Sequence, residues 1–122
     1  MLEGRVAFEA AALLAQLPVL GLQVPHGSGP VMVLPGFMAD DTSTWLLRRF
    51  LSRIGYVAAG WNLGLNRGPF GALLDQLVPA VGALAARHGC SVQLIGWSRG
   101  GMLARKLARR DAAAVRSVIT MG

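Results

Sequence analysis

The stretch Ser91-Val92-Gln93-Leu94-Ile95-Gly96-Trp97-Ser98-Arg99-Gly100-Gly101 decides the fold of this chain. Residues 91–95 are largely apolar and include β-branched side chains, which is typical of a buried strand. Residues 102–110 have the pattern of a helix. Glycines at 96 and 100 allow a turn that is too tight for larger side chains. The stretch therefore predicts a strand, a sharp turn and a helix, with the Ser98 hydroxyl exposed at the tip of the turn.

Two interpretations of Ser98 follow from this context. A G-x-S-x-G motif between a strand and a helix is the pattern of a nucleophile elbow, in which the serine attacks a carbonyl carbon. Alternatively, Ser98 only caps the helix at an ordinary strand–helix turn. Because the flanking strand and helix make a chance match less frequent, we expect Ser98 to be a nucleophile, with Gly96, Gly100 and Gly101 as the elbow glycines.

Composition limits the classes of protein to which the chain can belong. It has 122 residues, enough for one domain, with 53% hydrophobic and only 15% charged residues. Such a composition suits a parallel sheet that is covered on both faces. The net charge of +6 comes from basic residues scattered one or two at a time, whereas a nucleic-acid surface needs clustered ones. We therefore expect no nucleic-acid partner, and contact with an anionic membrane surface stays open.

Metal, cofactor and disulfide chemistry are not expected. Cys90 is the one cysteine, and its position beside a predicted buried strand places it in the core. The two histidines, His26 and His88, are far apart in the sequence, and the carboxylates are scattered, so no metal-ligand cluster is formed. We predict no metal site and no cofactor.

The first 30 residues are predicted to form an N-terminal helix and a loop. Residues 6–17 are apolar and rich in alanine, and the helix ends near Pro18. Glu9, Gln16 and Pro18 make it too short and too polar to span a membrane, and the stretch is a poor signal peptide. These features favour a cytoplasmic location. The helix is expected to pack on the domain, and a position at a membrane interface is the alternative.

Residues 31–122 are predicted to form a core of alternating strands and helices. The strands are expected at 31–34, 56–60, 91–95 and 115–121, and the helices at 44–54, 70–87 and 102–110. Pro79 should kink or split the second helix. Because right-handed crossovers join strands that alternate with helices, the order predicts an α/β fold, with a parallel sheet of about four strands and helices on both faces.

Three segments follow the carboxyl ends of predicted strands, where the functional groups of such sheets gather: 35–38, 60–62 and 97–99. A serine that attacks an ester carbonyl needs N–H donors for the developing oxyanion. The backbone N–H groups of Arg99 and of Phe37 are placed to supply them. A plain strand-ending turn is the alternative for residues 35–36. The apolar side chains assigned to a substrate pocket, which favour an acyl chain, are Met38, Trp61 and Trp97, and the alternative is that they belong to the core.

Together these segments resemble the N-terminal part of an α/β-hydrolase of the esterase or lipase-like kind. The matching pieces, in the family's order, are Val31-Met32-Val33-Leu34-Pro35-Gly36-Phe37, Asp41-Thr42-Ser43-Thr44, Gly60-Trp61-Asn62-Leu63-Gly64, Gly96-Trp97-Ser98-Arg99-Gly100-Gly101 and Val118-Ile119-Thr120-Met121-Gly122. The resemblance implies that Ser98 is the nucleophile, that Phe37 and Arg99 give the oxyanion N–H groups, and that the strands lie in the order second, first, third, fourth. Many members have histidine where this chain has Pro35 and Trp97, but neither position carries the chemistry.

The catalytic acid and histidine that the family places after the serine are missing from this sequence. After Ser98 there is no histidine, and Asp111 is the only acid. His26 and His88 precede predicted strands, at the amino edge of the sheet, and a five-residue strand spans roughly 16 Å. We therefore expect residues 1–122 to be a single, incomplete α/β-hydrolase domain that is inactive or nearly so alone. Its last strand is expected to be an open edge available for pairing.

The sequence thus predicts a serine hydrolase that acts on small-molecule or lipid carboxylic esters through an acyl-enzyme at Ser98. Acyl transfer to an alcohol at the same site is one alternative, and product analysis in the presence of alcohols would separate the two. A non-catalytic interaction module that pairs through its sheet edge is the other alternative.

Overall fold

The computed structural model describes residues 28–122, so the predicted N-terminal helix and His26 lie outside the described residues. The described chain alternates strands with helices, in the order β1 Pro30–Leu34, α1 Trp45–Arg53, β2 Val57–Gly60, α2 Phe70–His88, β3 Val92–Trp97, α3 Arg99–Arg110 and β4 Val115–Met121. Within residues 28–122, none of the helices is long and apolar enough to cross a membrane.

The four strands form one parallel sheet in the order β2-β1-β3-β4. In the two central strands, Val33 pairs with Ile95 and Leu34 with Gly96. Gly96 and Trp97 then pair with Thr120 and Met121 of β4. The predicted α/β class and the predicted strand order are both confirmed. Since every strand runs the same way, the segments that follow β1, β2 and β3 emerge at one end of the sheet, the carboxyl end.

Helices cover both faces of the sheet because side chains alternate along each strand. On one face, Val31 and Val33 pack with Leu47 and Leu51 of α1. On the other face, α2 and α3 pack on Met32, Leu34 and Leu94; the buried helix residues there include Leu77, Val81, Leu103 and Leu107. The central strands are therefore buried on both sides, as their continuous apolar sequence predicts.

Helix α2 runs unbroken from Phe70 to His88 with Pro79 inside it, so the predicted split does not occur, and the kink stays a prediction. Pro79 is exposed, and so is Asp75, four residues earlier, whose carbonyl cannot accept a helix hydrogen bond from proline. Buried Leu77 and Val81 on either side hold the helix against the sheet. Tertiary packing therefore overrides the local preference of proline.

Cys90 is exposed, and its predicted place in the core is wrong. Helix α2 ends at Gly89, which has a left-handed φ of 68°, and the Cys90 N–H then donates to the Ala85 carbonyl oxygen at 3.2 Å. This is the hydrogen-bond pattern of a helix that stops at a glycine. Cys90 belongs to that reversing turn, and the buried strand begins only at Val92.

Helix α3 begins at Arg99, three residues before the predicted start, and β3 continues to Trp97, two residues beyond its predicted end. Strand and helix are therefore separated by Ser98 alone. Before α1, a single 3₁₀ turn, Asp41–Thr44, leads into the helix, and the Asp40 carboxylate accepts a hydrogen bond from the Thr42 N–H at 3.0 Å.

Candidate active site

Ser98 makes the whole turn between β3 and α3. Its backbone has φ of 50° and ψ of −115°, a conformation that residues other than glycine rarely adopt. The residue is exposed and occupies the N-cap position of α3, yet its side chain makes no capping hydrogen bond. The interpretation of Ser98 as a simple helix cap therefore fails, and its hydroxyl is free at the tip of a strained turn.

The three elbow glycines are required by close backbone packing. A Cβ atom at Gly96 would lie 2.5 Å from the backbone of Gly100 and Gly101, and one at Gly100 would lie 2.5 Å from the Leu34 carbonyl oxygen. Gly101 is tight as well, since a Cβ there would lie 3.0 Å from the Gly96 carbonyl oxygen. Helix α3 can therefore start against the ends of β1 and β3 only if these positions lack side chains.

The turn after β1 lies directly beside Ser98. The Ala39 N–H donates to the Gly36 carbonyl oxygen at 3.0 Å, and Met38 has φ of 60°, as the third residue of a type II turn does. A Cβ at Gly36 would be 3.8 Å from the Ser98 Cβ, so the backbone of this turn approaches the serine closely.

The backbone N–H groups of Phe37 and Arg99 have no acceptor within residues 28–122. Their neighbours are engaged, since the Ser98 N–H donates to the Met121 oxygen at 2.7 Å and the Met38 N–H donates to the Asn66 oxygen at 2.8 Å. Phe37 follows the glycine that abuts Ser98, and Arg99 is the residue after the serine. The two groups are thus free donors on either side of the hydroxyl.

The loop at residues 61–69 is held against these turns by contacts that the sequence did not predict. The Asp41 carboxylate accepts hydrogen bonds from the N–H groups of Trp61 at 3.0 Å and Asn62 at 2.9 Å. Gly60 makes room for it, because a Cβ there would lie 2.5 Å from the Asp41 Cγ. Asn66, farther along the loop, is buried. Both roles depend on contacts between residues 20 or more positions apart, so no local sequence pattern indicates them.

Two of the three predicted pocket residues are in the core. Trp61 is 2% exposed, and its indole N–H donates to the Gly64 carbonyl oxygen at 2.9 Å. Trp97 is buried on the opposite face of the sheet, with the α1 cluster. Their assignment to an open pocket is therefore corrected: large apolar side chains that follow strands also fill the ends of the core. Met38, at 39% exposure, is the one of the three that reaches the surface.

Exposed apolar side chains gather at the carboxyl end of the sheet. Of the seven large hydrophobic side chains that are exposed in the described residues, Val57 at the start of β2 lies at the other end, and the six at the carboxyl end are Phe37, Met38, Trp45, Leu46, Leu65 and Met102. The Arg99 guanidinium lies 5.8 Å from the Phe37 ring centroid and 4.7 Å from that of Phe70. The surface around Ser98 is therefore apolar with a cationic group stacked on it.

No described imidazole lies near Ser98. His88 ends α2, before β3, and six strand residues span about 20 Å. Asp111 follows α3, and its carboxylate accepts from the Ala114 N–H at 3.3 Å, at the amino end of the sheet, whereas the serine lies at the carboxyl end. Residues 28–122 also contain no group of three His, Cys, Asp or Glu side chains that could hold a metal ion. The described site has a free hydroxyl and free N–H donors, without a general base.

The chain matches no model of a known protein family, and no curated protein sequence is significantly similar to it.

Proposed function

We propose that Ser98 is the nucleophile of a serine hydrolase that acts on carboxylic esters. The observation that carries this proposal is the free Ser98 hydroxyl in a strained strand–helix turn, next to the unpaired N–H groups of Phe37 and Arg99. Strained backbone persists where the surroundings enforce it, and such positions cluster at active sites. The resemblance of the motif set to α/β-hydrolases of the esterase or lipase-like kind points to the same chemistry.

The proposed reaction begins with attack of the Ser98 Oγ on the ester carbonyl carbon. As the new C–O bond forms, the carbonyl π electrons move to the oxygen, and the N–H groups of Phe37 and Arg99 donate to that oxyanion. The intermediate collapses, the ester C–O bond breaks, and the alcohol leaves with a proton. Water then hydrolyses the acyl-serine and releases a carboxylic acid.

The attack requires that the proton of the Ser98 hydroxyl move to a base. The Asp41 carboxylate does not supply this base, because it already accepts hydrogen bonds from two backbone N–H groups. Without a base, a serine site keeps only the acceleration that comes from binding and the oxyanion hole, roughly 10³- to 10⁴-fold over water. We therefore propose that residues 28–122 form the nucleophile and oxyanion part of the site and hydrolyse esters slowly when unaided.

The apolar surface around Ser98 supports an uncharged acyl group as the substrate portion next to the serine. Phe37, Met38, Leu65 and Met102 expose carbon where a substrate would approach, and burying it against an acyl chain is favourable by about 25 cal/mol per Å². Esters with a medium-length acyl chain should therefore react faster than acetate esters.

Imidazole from solution tests the proposal because it can replace the missing base. We expect p-nitrophenyl butyrate hydrolysis by the whole chain to rise with imidazole concentration well above the rate that imidazole gives with Ser98→Ala. An acyl group should be trapped on Ser98 and found by mass spectrometry. Ser52→Ala, on the exposed face of α1, is the matched control and should leave the rate unchanged. Equal rates for the wild type and Ser98→Ala at every imidazole concentration would contradict the proposal.

A further inference from the structure

Asn66 is a buried amide in the middle of an exposed loop. Its relative exposure is 0%, while Leu65, Arg67, Gly68 and Pro69 around it are exposed. Burying an amide is unfavourable unless hydrogen bonds replace its contacts with water. The burial of Asn66 must therefore be explained by the hydrogen bonds that it makes.

The bonds of Asn66 all go to the turn that contains Phe37. Its side-chain Nδ2 donates to the Pro35 carbonyl oxygen at 2.7 Å. Its backbone oxygen accepts from the Met38 N–H at 2.8 Å, and its own N–H donates to the Ala39 oxygen at 2.8 Å. These three bonds lie on both sides of the Gly36–Phe37 peptide and leave the Phe37 N–H without an acceptor among the described residues.

The direction of the Phe37 N–H is set by this arrangement. The Gly36 oxygen accepts from the Ala39 N–H, inside the turn. Because a trans peptide is planar and its C=O and N–H point in opposite directions, the Phe37 N–H must point out of the turn. The Asn66 bonds hold the two flanking peptides, so the Gly36–Phe37 peptide cannot rotate without breaking one of them.

The loop that carries Asn66 is itself fixed at both ends. The Asp41 carboxylate holds the N–H groups of Trp61 and Asn62 at the start of the loop. At the end of the loop, the Arg99 guanidinium donates to the Gly68 oxygen and stacks on Phe70. The loop therefore links the residue after the serine to the turn that carries the other N–H donor.

We propose that Asn66 is the positioning residue of the oxyanion site: it orients the Phe37 N–H toward the oxygen that develops charge, without touching the substrate. This proposal rests on the proposed ester hydrolysis for its catalytic consequence, and on the hydrogen bonds alone for its structural part. The Asn66 Oδ1 has no hydrogen-bond partner within residues 28–122, so the amide contacts the turn only through its donor, Nδ2.

The decisive variant is Asn66→Asp, which keeps the shape of the side chain but turns a carboxylate oxygen toward the Pro35 oxygen. Asn66→Leu removes the donor at similar volume. Arg67→Gln is the control, an exposed residue in the same loop whose side chain makes no hydrogen bond in the described structure. With imidazole present, we expect kcat for p-nitrophenyl butyrate to fall about 10- to 100-fold in both Asn66 variants, with KM unchanged, because one oxyanion donor is worth about 10²- to 10³-fold.

A second readout does not depend on activity. In the ¹⁵N–¹H spectrum of the whole chain, the Phe37 and Met38 cross-peaks should shift in the Asn66 variants, and exchange of the Met38 amide should accelerate at least tenfold; Arg67→Gln should change neither. Unchanged Phe37 and Met38 amides, or a raised KM with kcat intact, would overturn the proposal. If the wild type shows no turnover, the proposed hydrolysis fails, and the amide readout alone decides the role of Asn66.

If neither Asn66 variant folds, hydrogen exchange of the wild-type chain tests the proposal instead. Hydrogen exchange of the native chain should protect the Met38 N–H, which donates to Asn66, more strongly than the Phe37 N–H, which faces out of the turn. Equal exchange of the two amides would overturn the proposal.

Discussion

The two ends of the parallel sheet follow different rules. At the amino end, local structure agrees with residue preferences: Gly89 takes the left-handed φ of 68° where α2 ends, and the Asp111 carboxylate caps a turn. At the carboxyl end, three residues other than glycine have positive φ, namely Met38, Asn62 and Ser98. These are all such residues in the described chain, and they lie in the three segments that surround the candidate site. Within residues 28–122, positive-φ residues other than glycine are therefore confined to the carboxyl end of the sheet.

The size of this strain gives the comparison its meaning. A residue held in a sparsely populated backbone conformation costs about 1–3 kcal/mol, and a whole domain is stable by about 5–15 kcal/mol. Three such residues together therefore use a considerable part of the stability of the chain. Glycine at any of the three positions would avoid this loss of stability, as glycine does at position 89. The presence of serine rather than glycine at position 98 is consistent with a side chain that is kept for its chemistry.

The largest expected effect comes from filling the space beneath the elbow. Gly100→Ala places a methyl group 2.5 Å from the Leu34 carbonyl oxygen, so the strand or the helix must move, and we expect a loss of about 3 kcal/mol or more. Gly82→Ala is the control, since nothing lies within 4 Å of a Cβ in that position of α2. It should stabilise by about 0.5–1 kcal/mol. Urea unfolding of both variants measures the difference, and similar midpoints would mean that the elbow is not tightly packed.

Removing the Asp41 carboxylate should have the next largest effect. Asp41→Ala leaves the Trp61 and Asn62 N–H groups without their acceptor, and we expect a loss of about 2 kcal/mol, because hydrogen bonds to charged groups contribute about 1.5–3 kcal/mol. Asp40→Ala removes a local and exposed cap and should lose about half as much. Urea midpoints for the two variants test this order. A larger loss at Asp40 would show that the loop is held by other contacts.

Relieving the strain at Ser98 should stabilise the chain by a smaller amount. Ser98→Gly removes the Cβ from a residue with φ of 50°, which gains about 1–3 kcal/mol, while the extra freedom of glycine in the unfolded chain loses up to about 1 kcal/mol. We expect a net gain of about 1 kcal/mol and a higher melting temperature. Ser52→Gly, within helix α1, should have the opposite sign. A Ser98→Gly variant that melts below the wild type would contradict the proposed strain.

The smallest effect is expected away from the strained end. Asp75 and Arg110 form an ion pair at 3.4 Å between α2 and α3, and both side chains are largely solvated, with 72% and 49% exposure. Exposed pairs of this kind contribute about 0–1 kcal/mol. Asp75→Ala should therefore change the urea midpoint by less than any variant above, and added salt should not enlarge the change. A loss as large as that of Asp41→Ala would remove the contrast between the two regions.

Local patterns predicted the frame of the molecule well. Strand β4 has its predicted bounds, Val115–Met121, and the sheet order β2-β1-β3-β4 is the one that the resemblance to α/β-hydrolases implies. The motif around Ser98 predicted the turn because Gly96 packs within the motif itself, where a Cβ would lie 2.5 Å from the backbone of Gly100 and Gly101. Helix α2 shows the limit of such patterns, since Pro79 does not break it when flanking leucine and valine side chains are buried.

The support for the site could not be predicted in the same way. No local pattern indicates the contacts of Asp41, because its carboxylate accepts hydrogen bonds from residues 20 and 21 positions away. Asn66 lies in a loop whose sequence has no hydrophobic periodicity, and its hydrogen-bond partner Pro35 is 31 positions earlier. The burial of Trp61 and Trp97 likewise depends on how the ends of the core close. Contacts of long sequence separation leave no trace in local residue patterns.

The central claim is that Ser98 is a nucleophile poised beside two free N–H groups, and labelling with a fluorophosphonate tests it most directly. The phosphonyl oxygen would occupy the same N–H donors while Oγ bonds to phosphorus and fluoride leaves. We predict a single adduct on the folded chain, located on Ser98, formed faster with imidazole and absent from Ser98→Ala and from the urea-unfolded chain. No adduct on the folded chain in imidazole, or an adduct that persists in Ser98→Ala, would contradict the claim.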